Sequence, residues 1–432
     1  MALPTALRRC LTCAKYAAGG VFAASMTSAW YYRPTPSTST GQQQRNDNTI
    51  MATTTDSRRA KEVFCSPQAS PPYHRDNVPL LLEWARRISI GVTTIAIRIL
   101  MNTYGKYEID DDEHYANFLE TVLKGNDRVG SGENQGLITV SNHRSLFDDP
   151  GVVSCLLPLP IAIQPKHNRW AICSQEYCYN DALPGIIKGY IGAGQVLPIC
   201  RGGGINQRLL LDFGKHLACG EWCHVFPEGG VWQWDELGGR RKLPPNATMQ
   251  LSSDFGSDGG SSSGHDRDEL KIIPTATLQQ KALQPSPAGK LKWGVGKLIA
   301  HAPVAPKVIP FAHHGMERLL PQDENTGKTK LRDNLLDSML PAIFGGDADD
   351  KLHIRVKFGG EIEFDDLIQE HEMKHGKLWK YHGKEVNEQQ RQHETTWESS
   401  REERALYSKI VRRIEGRLDV LTREVCSRDD GR

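Results

Sequence analysis

The longest apolar stretch of the chain covers residues 80–101, but Glu83, Arg86, Arg87 and Arg98 interrupt it, and only residues 88–97 are free of charge. A membrane-crossing helix takes about 20 mostly apolar residues. The pattern therefore predicts an interfacial helix, with Trp84 and the Ile and Leu side chains at the acyl boundary and the arginines reaching lipid phosphates. An ordinary buried first helix is the competing reading of the same pattern. Further on, four short β-prone runs each end in turn chemistry: residues 137–140, 195–200, 222–226 and 308–311. Short buried strands separated by segments of helical length predict one sheet in an α/β fold, with polar residues at the strand ends.

The pattern stops between residues 233 and 290, where residues 252–264 are almost entirely Ser, Gly and Asp; this predicts a disordered surface insertion. After residue 369 the chain is hydrophilic until Leu406, Ile410, Ile414, Leu418, Leu421 and Val425 form one apolar stripe on a charged helix. The stripe is under three heptads long, so it predicts a helix docked on the domain rather than a coiled coil.

Charge changes the picture only at the N-terminal side. Five basic residues, Arg8, Arg9, Lys15, Arg33 and Arg45, precede the first acidic residue, Asp47, as in an organelle presequence. Polar Ser, Thr, Gln and Pro then continue to residue 77 as a linker with too little apolar surface to order itself. Over the whole chain the net charge is +1, which gives no basic excess for nucleic acid. Of ten cysteines only Cys10 and Cys13 have the close spacing of a metal or redox pair, so the domain is expected to carry unpaired thiols.

Candidate chemistry centres on Asn142-His143-Arg144-Ser145-Leu146-Phe147-Asp148-Asp149-Pro150. On a continuous helix His143 and Asp148 would stand about 140° apart and could not meet. A bend after the strand at residue 140 brings the carboxylate back to the imidazole, fixing its tautomer and leaving the other ring nitrogen to take a proton from a hydroxyl. By themselves the same residues also suit a plain helix start, with an aspartate near the cap and Pro150 in the first turn.

The residues from Asn142 to Asp148, Val196-Leu-Pro-Ile-Cys-Arg201, Phe226-Pro-Glu-Gly229 and Val308-Ile-Pro310 resemble, in order, the four blocks of the glycerolipid acyltransferases. Within that superfamily the chain most resembles the mitochondrial transacylases that remodel cardiolipin. The double aspartate, Cys200-Arg-Gly-Gly-Gly204, Lys292-Trp-Gly-Val-Gly-Lys297, His314-Gly-Met316 and Leu320-Pro321 carry that resemblance, which covers roughly residues 79–360 apart from the insertion.

It implies an α/β fold, a glycerol-3-phosphate acyltransferase-like mixed sheet flanked by helices. Along the chain it implies a presequence and linker (1–77), an interfacial membrane segment (78–103), an acyltransferase domain (104–368) with the insertion 233–290, and a polar segment with an amphipathic helix (369–432). It implies transfer of an acyl chain from a phospholipid to a lysophospholipid such as monolysocardiolipin, with no metal, CoA or other cofactor. His143 would be the general base and Asp148 its orienting carboxylate; Arg201, Glu228, Gly229 and Asn142 would bind substrate.

Two features depart from the family: Gly230 stands where it carries a lysine, and the long insertion is not typical. A lysophosphatidate acyltransferase using acyl-CoA would share the same residues, and a catalytically silent lipid-binding protein is the reading from another class. The expected partners are the lipids and a membrane surface, with no nucleic acid and oligomerisation left open. The expected location is mitochondrial, on the inner or outer membrane facing the intermembrane space, with a plastid as the alternative.

Three further motifs are set aside. His371-Glu-Met-Lys-His375 fits a zinc-protease pattern, but its flanks are polar and no third ligand is evident. Asn246-Ala-Thr248 is a glycosylation sequon without meaning in a mitochondrial protein. His313 and His314, at a strand end, read as structural or pocket-lining residues.

Overall fold

The computed structural model describes residues 80–110, 112–125, 134–179, 183–200, 203–231, 233, 235–236, 240–241, 291–321, 352–382 and 398–427. The expected presequence and linker, Arg201 and nearly all of the insertion lie outside these residues.

Seven strands form the main sheet: β1 Gly105–Ile109, β2 Leu137–Ser141, β3 Trp170–Ser174, β4 Val196–Ile199, β5 Trp222–Val225, β6 Lys307–His314 and β7 Leu352–Phe358. Their order is β1-β7-β6-β2-β5-β3-β4. Five strands, from β6 across to β4, run parallel, while β7 pairs antiparallel with β6 and carries β1 parallel to itself. The four expected strands all lie in the parallel part. β1, β3 and β7 add to them.

The central strands are apolar on both faces, as burial on both sides requires. All five residues of β2 are buried. Its Ile138 and Val140 join a core with Leu211 and Phe213 of α5 (Arg208–Ala218), Leu298 of α6 (Gly294–Ala300) and Ile410 and Ile414 of α8 (Arg401–Ser427). Leu137 faces the opposite core, with Met101 of α1 (Leu80–Tyr104), Phe118 of α2 (Glu113–Gly125), and Ile309 and Phe311 of β6. The remaining named helices are α3 (Asp148–Gly151), α4 (Gly185–Ala193) and α7 (Asp365–His375).

The C-terminal stripe docks as its spacing predicts. Every member is buried, and the stripe closes the first core and runs along β6. α8 approaches α6 so closely that a Cβ on Gly296 would lie 2.8 Å from the Tyr407 carbonyl oxygen.

α1 combines the two readings of its sequence. Leu82, Ala85, Arg86, Ser89, Ile90, Thr94 and Met101 are buried against the domain. Two of its three arginines do not face outward as expected. Arg86 lies 5.0 Å over the ring of Trp170, and Arg98 donates to the carbonyls of Ser154 and Leu157; both sit on the packed face, where protein carbonyls and an indole replace phosphate. Arg87 stays exposed and pairs with Glu83 at 3.1 Å. The outward face carries Leu80, Leu81, Trp84, Ile95 and Ile99, all exposed. Among the described residues no helix is long and apolar enough to cross a membrane.

The thiols are not all unpaired, as composition had suggested. Cys173 and Cys178 form a disulfide where β3 runs straight into a short helix and brings them within reach, whereas Cys155, Cys219, Cys223 and Cys426 keep their thiols.

Candidate active site

β2 ends at Ser141 and the chain bends before α3. Across that bend Asp148 Oδ2 accepts the backbone N–H of Arg144 (2.6 Å) and of Ser145 (2.9 Å) and lies 2.9 Å from His143 Nδ1. The predicted turn is thus built around one carboxylate oxygen. As the acceptor of all three contacts this oxygen puts the His143 proton on Nδ1. Nε2 is then the nitrogen available to a substrate. Asp148 is fully buried, whereas the His143 side chain is 18% exposed, so the pair is shielded at its inner end and reachable at its outer end.

The neighbouring aspartate has a separate task. Asp149 is held by both arms of the Arg169 guanidinium, which also donates to the Gly194 carbonyl at 3.0 Å, tying the motif to the entrance of β3 and to the turn before β4. Planar two-point pairing of this kind fixes orientation as well as charge.

A layer of rings supports His143. Its imidazole stacks on Phe226 with centroids 4.2 Å apart, and Phe226 meets His224 edge-on at 4.5 Å. The Thr139 hydroxyl accepts from Trp222 Nε1 at 2.8 Å and donates its own hydrogen to His224 Nδ1 at 2.9 Å. Burial pushes the His224 pKa well below its ordinary value, and the nearby Arg169, His313 and His143 push it further down. His224 is therefore a neutral spacer beneath the stack. Nothing along the chain marks it, because a histidine inside an apolar strand looks like any half-polar core position.

His313 approaches from β6. Its Nε2 lies 3.1 Å from the Asn142 carbonyl oxygen and 3.5 Å from Asp148 Oδ2, so it is the second imidazole beside that carboxylate. Burial lowers its pKa even with Asp148 beside it. Asn142, expected to bind substrate, instead spends its side-chain amide on His313, donating to its carbonyl (2.8 Å) and accepting its N–H (3.0 Å). It is buried between β2 and β6.

Glu228 and Gly229 follow β5 on the turn that begins at Phe226, next to the His143 ring. Glu228 is buried. Gly229 has φ +70°, a conformation that costs glycine little. Arg201 lies outside the described residues. The loop that carries it is closed by Gln207, whose side chain accepts the Cys200 N–H (3.0 Å) and donates to the Gly204 carbonyl (2.8 Å). In the zinc-protease-like motif, the Glu372 carboxylate accepts the Leu378 N–H at 3.2 Å; no group of residues suited to a metal occurs among the described residues.

Chemically, a strand-end imidazole oriented by a buried carboxylate can take a proton from a hydroxyl. Comparison with known proteins supplies the relatives. The chain is 30% identical over 188 residues to a tafazzin of Drosophila melanogaster, covering 44% of this chain and 35% of that one. It is 25% identical over 260 residues to tafazzin of Saccharomyces cerevisiae, covering 58% and 56%. It is also 29% identical over 229 residues to N-acylphosphatidylethanolamine synthase of Arabidopsis thaliana, covering 53% and 56%. No protein-family model matches. The chain is related to the tafazzins, and it spans between 35% and 56% of the length of these curated relatives.

Proposed function

We propose that the chain is a membrane-bound phospholipid acyltransferase that moves an acyl group from a phospholipid to the free hydroxyl of a lysophospholipid such as monolysocardiolipin, without CoA. The observation that carries this reading is the His143–Asp148 pair at 2.9 Å, with one end buried and the other open. The relatedness to tafazzins supports the substrate class.

The lipid hydroxyl gives its proton to His143 Nε2 as its oxygen attacks the ester carbonyl of the donor. Asp148 stabilises the imidazolium that forms. Collapse of the tetrahedral intermediate breaks the old ester bond. The departing alkoxide takes the proton back from Nε2, so one ester is exchanged for another with no net consumption of acid, base or cofactor. Arg201 is the planar cation assigned to a lipid phosphate, and Glu228 holds a substrate oxygen. The apolar outer face of α1 seats the domain in one leaflet, which keeps both lipids within reach. The presequence-like composition of residues 1–77 supports a mitochondrial membrane; a fluorescent fusion of this segment that stayed cytosolic would refute that reading.

The Arabidopsis relative favours one second reading, in which the same base serves an amine and the product is an N-acylphosphatidylethanolamine. One assay separates the readings. Purified protein is mixed with vesicles of acyl-labelled phosphatidylcholine, monolysocardiolipin and phosphatidylethanolamine, with no CoA present. Label in cardiolipin supports the proposal, and label in N-acylphosphatidylethanolamine supports the second reading. No label transfer in this mixture, with transfer from labelled acyl-CoA in a parallel one, overturns the phospholipid donor.

A further inference from the structure

We propose that Lys292 is a second phosphate-binding residue of this site, contributing to acceptor affinity rather than to the chemical step; the proposal rests on the acyltransferase reading above. Lys292 immediately precedes Trp293 and α6 and is far in sequence from the Pro-Glu-Gly turn, yet the two are built as one unit. Its backbone N–H donates to the Pro227 carbonyl at 2.7 Å. Its aliphatic stem lies directly across Gly229, where an added Cβ would stand 2.9 Å from Lys292 Cγ, 3.1 Å from Cε and 3.6 Å from Cδ. The missing side chain at Gly229 is therefore the groove in which the lysine lies, and the ammonium is carried one bond further along the turn.

The turn begins at Phe226, on which the His143 ring is stacked. A hydroxyl placed at His143 Nε2 belongs to a glycerol whose phosphodiester is only a few covalent bonds away, and Lys292 is the cation held against the turn that adjoins this ring. The described arginines nearest the site are otherwise placed: Arg169 is bound to Asp149, and Arg144 is buried. Lys292 is exposed at the surface of the turn. A flexible ammonium held by its stem is suited to meet a phosphate as a point charge without demanding one headgroup geometry.

The test compares the full chain with Lys292→Met and Lys292→Arg by two measurements. Calorimetric binding of sn-glycerol 3-phosphate is expected to weaken about tenfold in Lys292→Met and to stay within about threefold of the parent in Lys292→Arg. In the vesicle assay, the acceptor KM is expected to rise about tenfold in Lys292→Met with kcat within about twofold, the mark of lost uniform binding. Equal glycerol phosphate binding by parent and Lys292→Met overturns the proposal. So does a fall in kcat with unchanged KM, which would make Lys292 a support of the turn alone. If the parent transfers no acyl group but its glycerol phosphate binding still depends on Lys292, the anion site stands and the acyltransferase reading fails.

Discussion

At the scale of single residues, the site separates groups that meet the substrate from groups that hold them. His143→Ala is expected to lower acyl transfer by roughly 10²–10⁴-fold, the usual worth of a positioned base, with the circular dichroism spectrum and vesicle binding unchanged; full activity in this variant would remove the base from the mechanism. Gly229→Ala tests the turn. It combines a positive φ with a collision against the Lys292 stem, and should lower activity while leaving the fold intact.

His314 supplies a pH prediction. Burial works against its charged form, but hydrogen bonds to Cys426 and to Glu317 (3.0 Å) outweigh it and push the pKa up to about 10. Since the folded value lies above the ordinary histidine value, the stability contributed by this group is full below about pH 6.5 and is lost as pH rises through about 10. The stability difference between the parent and Glu317→Gln, from urea melts, should therefore be largest near pH 6 and shrink toward pH 10. A difference independent of pH would count against the pair.

The pair of His143 and Asp148 was legible because a histidine at a strand end and an aspartate at a helix start have few ways to meet other than across a tight bend. The pairing of Asn142 with His313 was not legible, since nothing local reveals that its amide will meet a strand 171 residues away. His313 was noticed without its place beside Asp148, for the same reason.

At the scale of elements, apolar content found four of the five parallel strands and missed the other strands for separate reasons. β7 reads Leu352-His-Ile-Arg-Val-Lys-Phe358 with strict alternate burial, a period-two signal that was present but masked by its charges. Those charges point outward and find partners, His353 with Glu108 at 2.8 Å and Lys357 with Glu424 at 3.0 Å. β1 and β3 are five residues each and follow or precede helices directly, too short to establish a period.

α6 misleads in another way. Its Lys297 would be placed outward by composition, yet it is fully buried and donates to Asn206 at 2.9 Å. Burial brings its pKa down to about 7. α8 behaves as its stripe predicts. Ile410→Ala at its fully buried centre should cost about 2–5 kcal/mol, read as a fall in thermal midpoint. A loss below about 0.5 kcal/mol would mean that the helix contributes little to the core.

At the scale of the molecule, the apolar outer face of α1 gathers five exposed large side chains among the described residues, Leu80, Leu81, Trp84, Ile95 and Ile99. Replacing Trp84 and Ile99 by Ser removes two exposed side chains, each worth about 1.5–3 kcal/mol when buried, so vesicle binding should weaken by at least roughly tenfold. Activity on detergent-dispersed lipids should be preserved; equal binding to vesicles by parent and variant would place the membrane face elsewhere. The interrupted hydropathy of residues 80–101 showed an amphipathic helix. It did not show which side the arginines would take, because Trp170, the partner of Arg86, and the carbonyls that hold Arg98 come from later in the chain.

The docking of α8 also governs the order in which this protein can come into being. β2 leaves the ribosome early, and its two sheet neighbours, β5 and β6, follow some 80 and 170 residues later. The face formed by Ile138, Val140, Leu298 and Ile299 is closed only when residues 406–418 arrive. Until then a nascent chain carries a nearly finished sheet with one apolar side bare, the kind of surface that chaperones bind and that aggregates when left alone. A premature stop before residue 398 would leave His143 and Asp148 in the translated sequence yet yield a product fit for proteolysis rather than for lipid exchange. Nonsense lesions late in the reading frame should accordingly act through protein abundance, ahead of any effect on turnover.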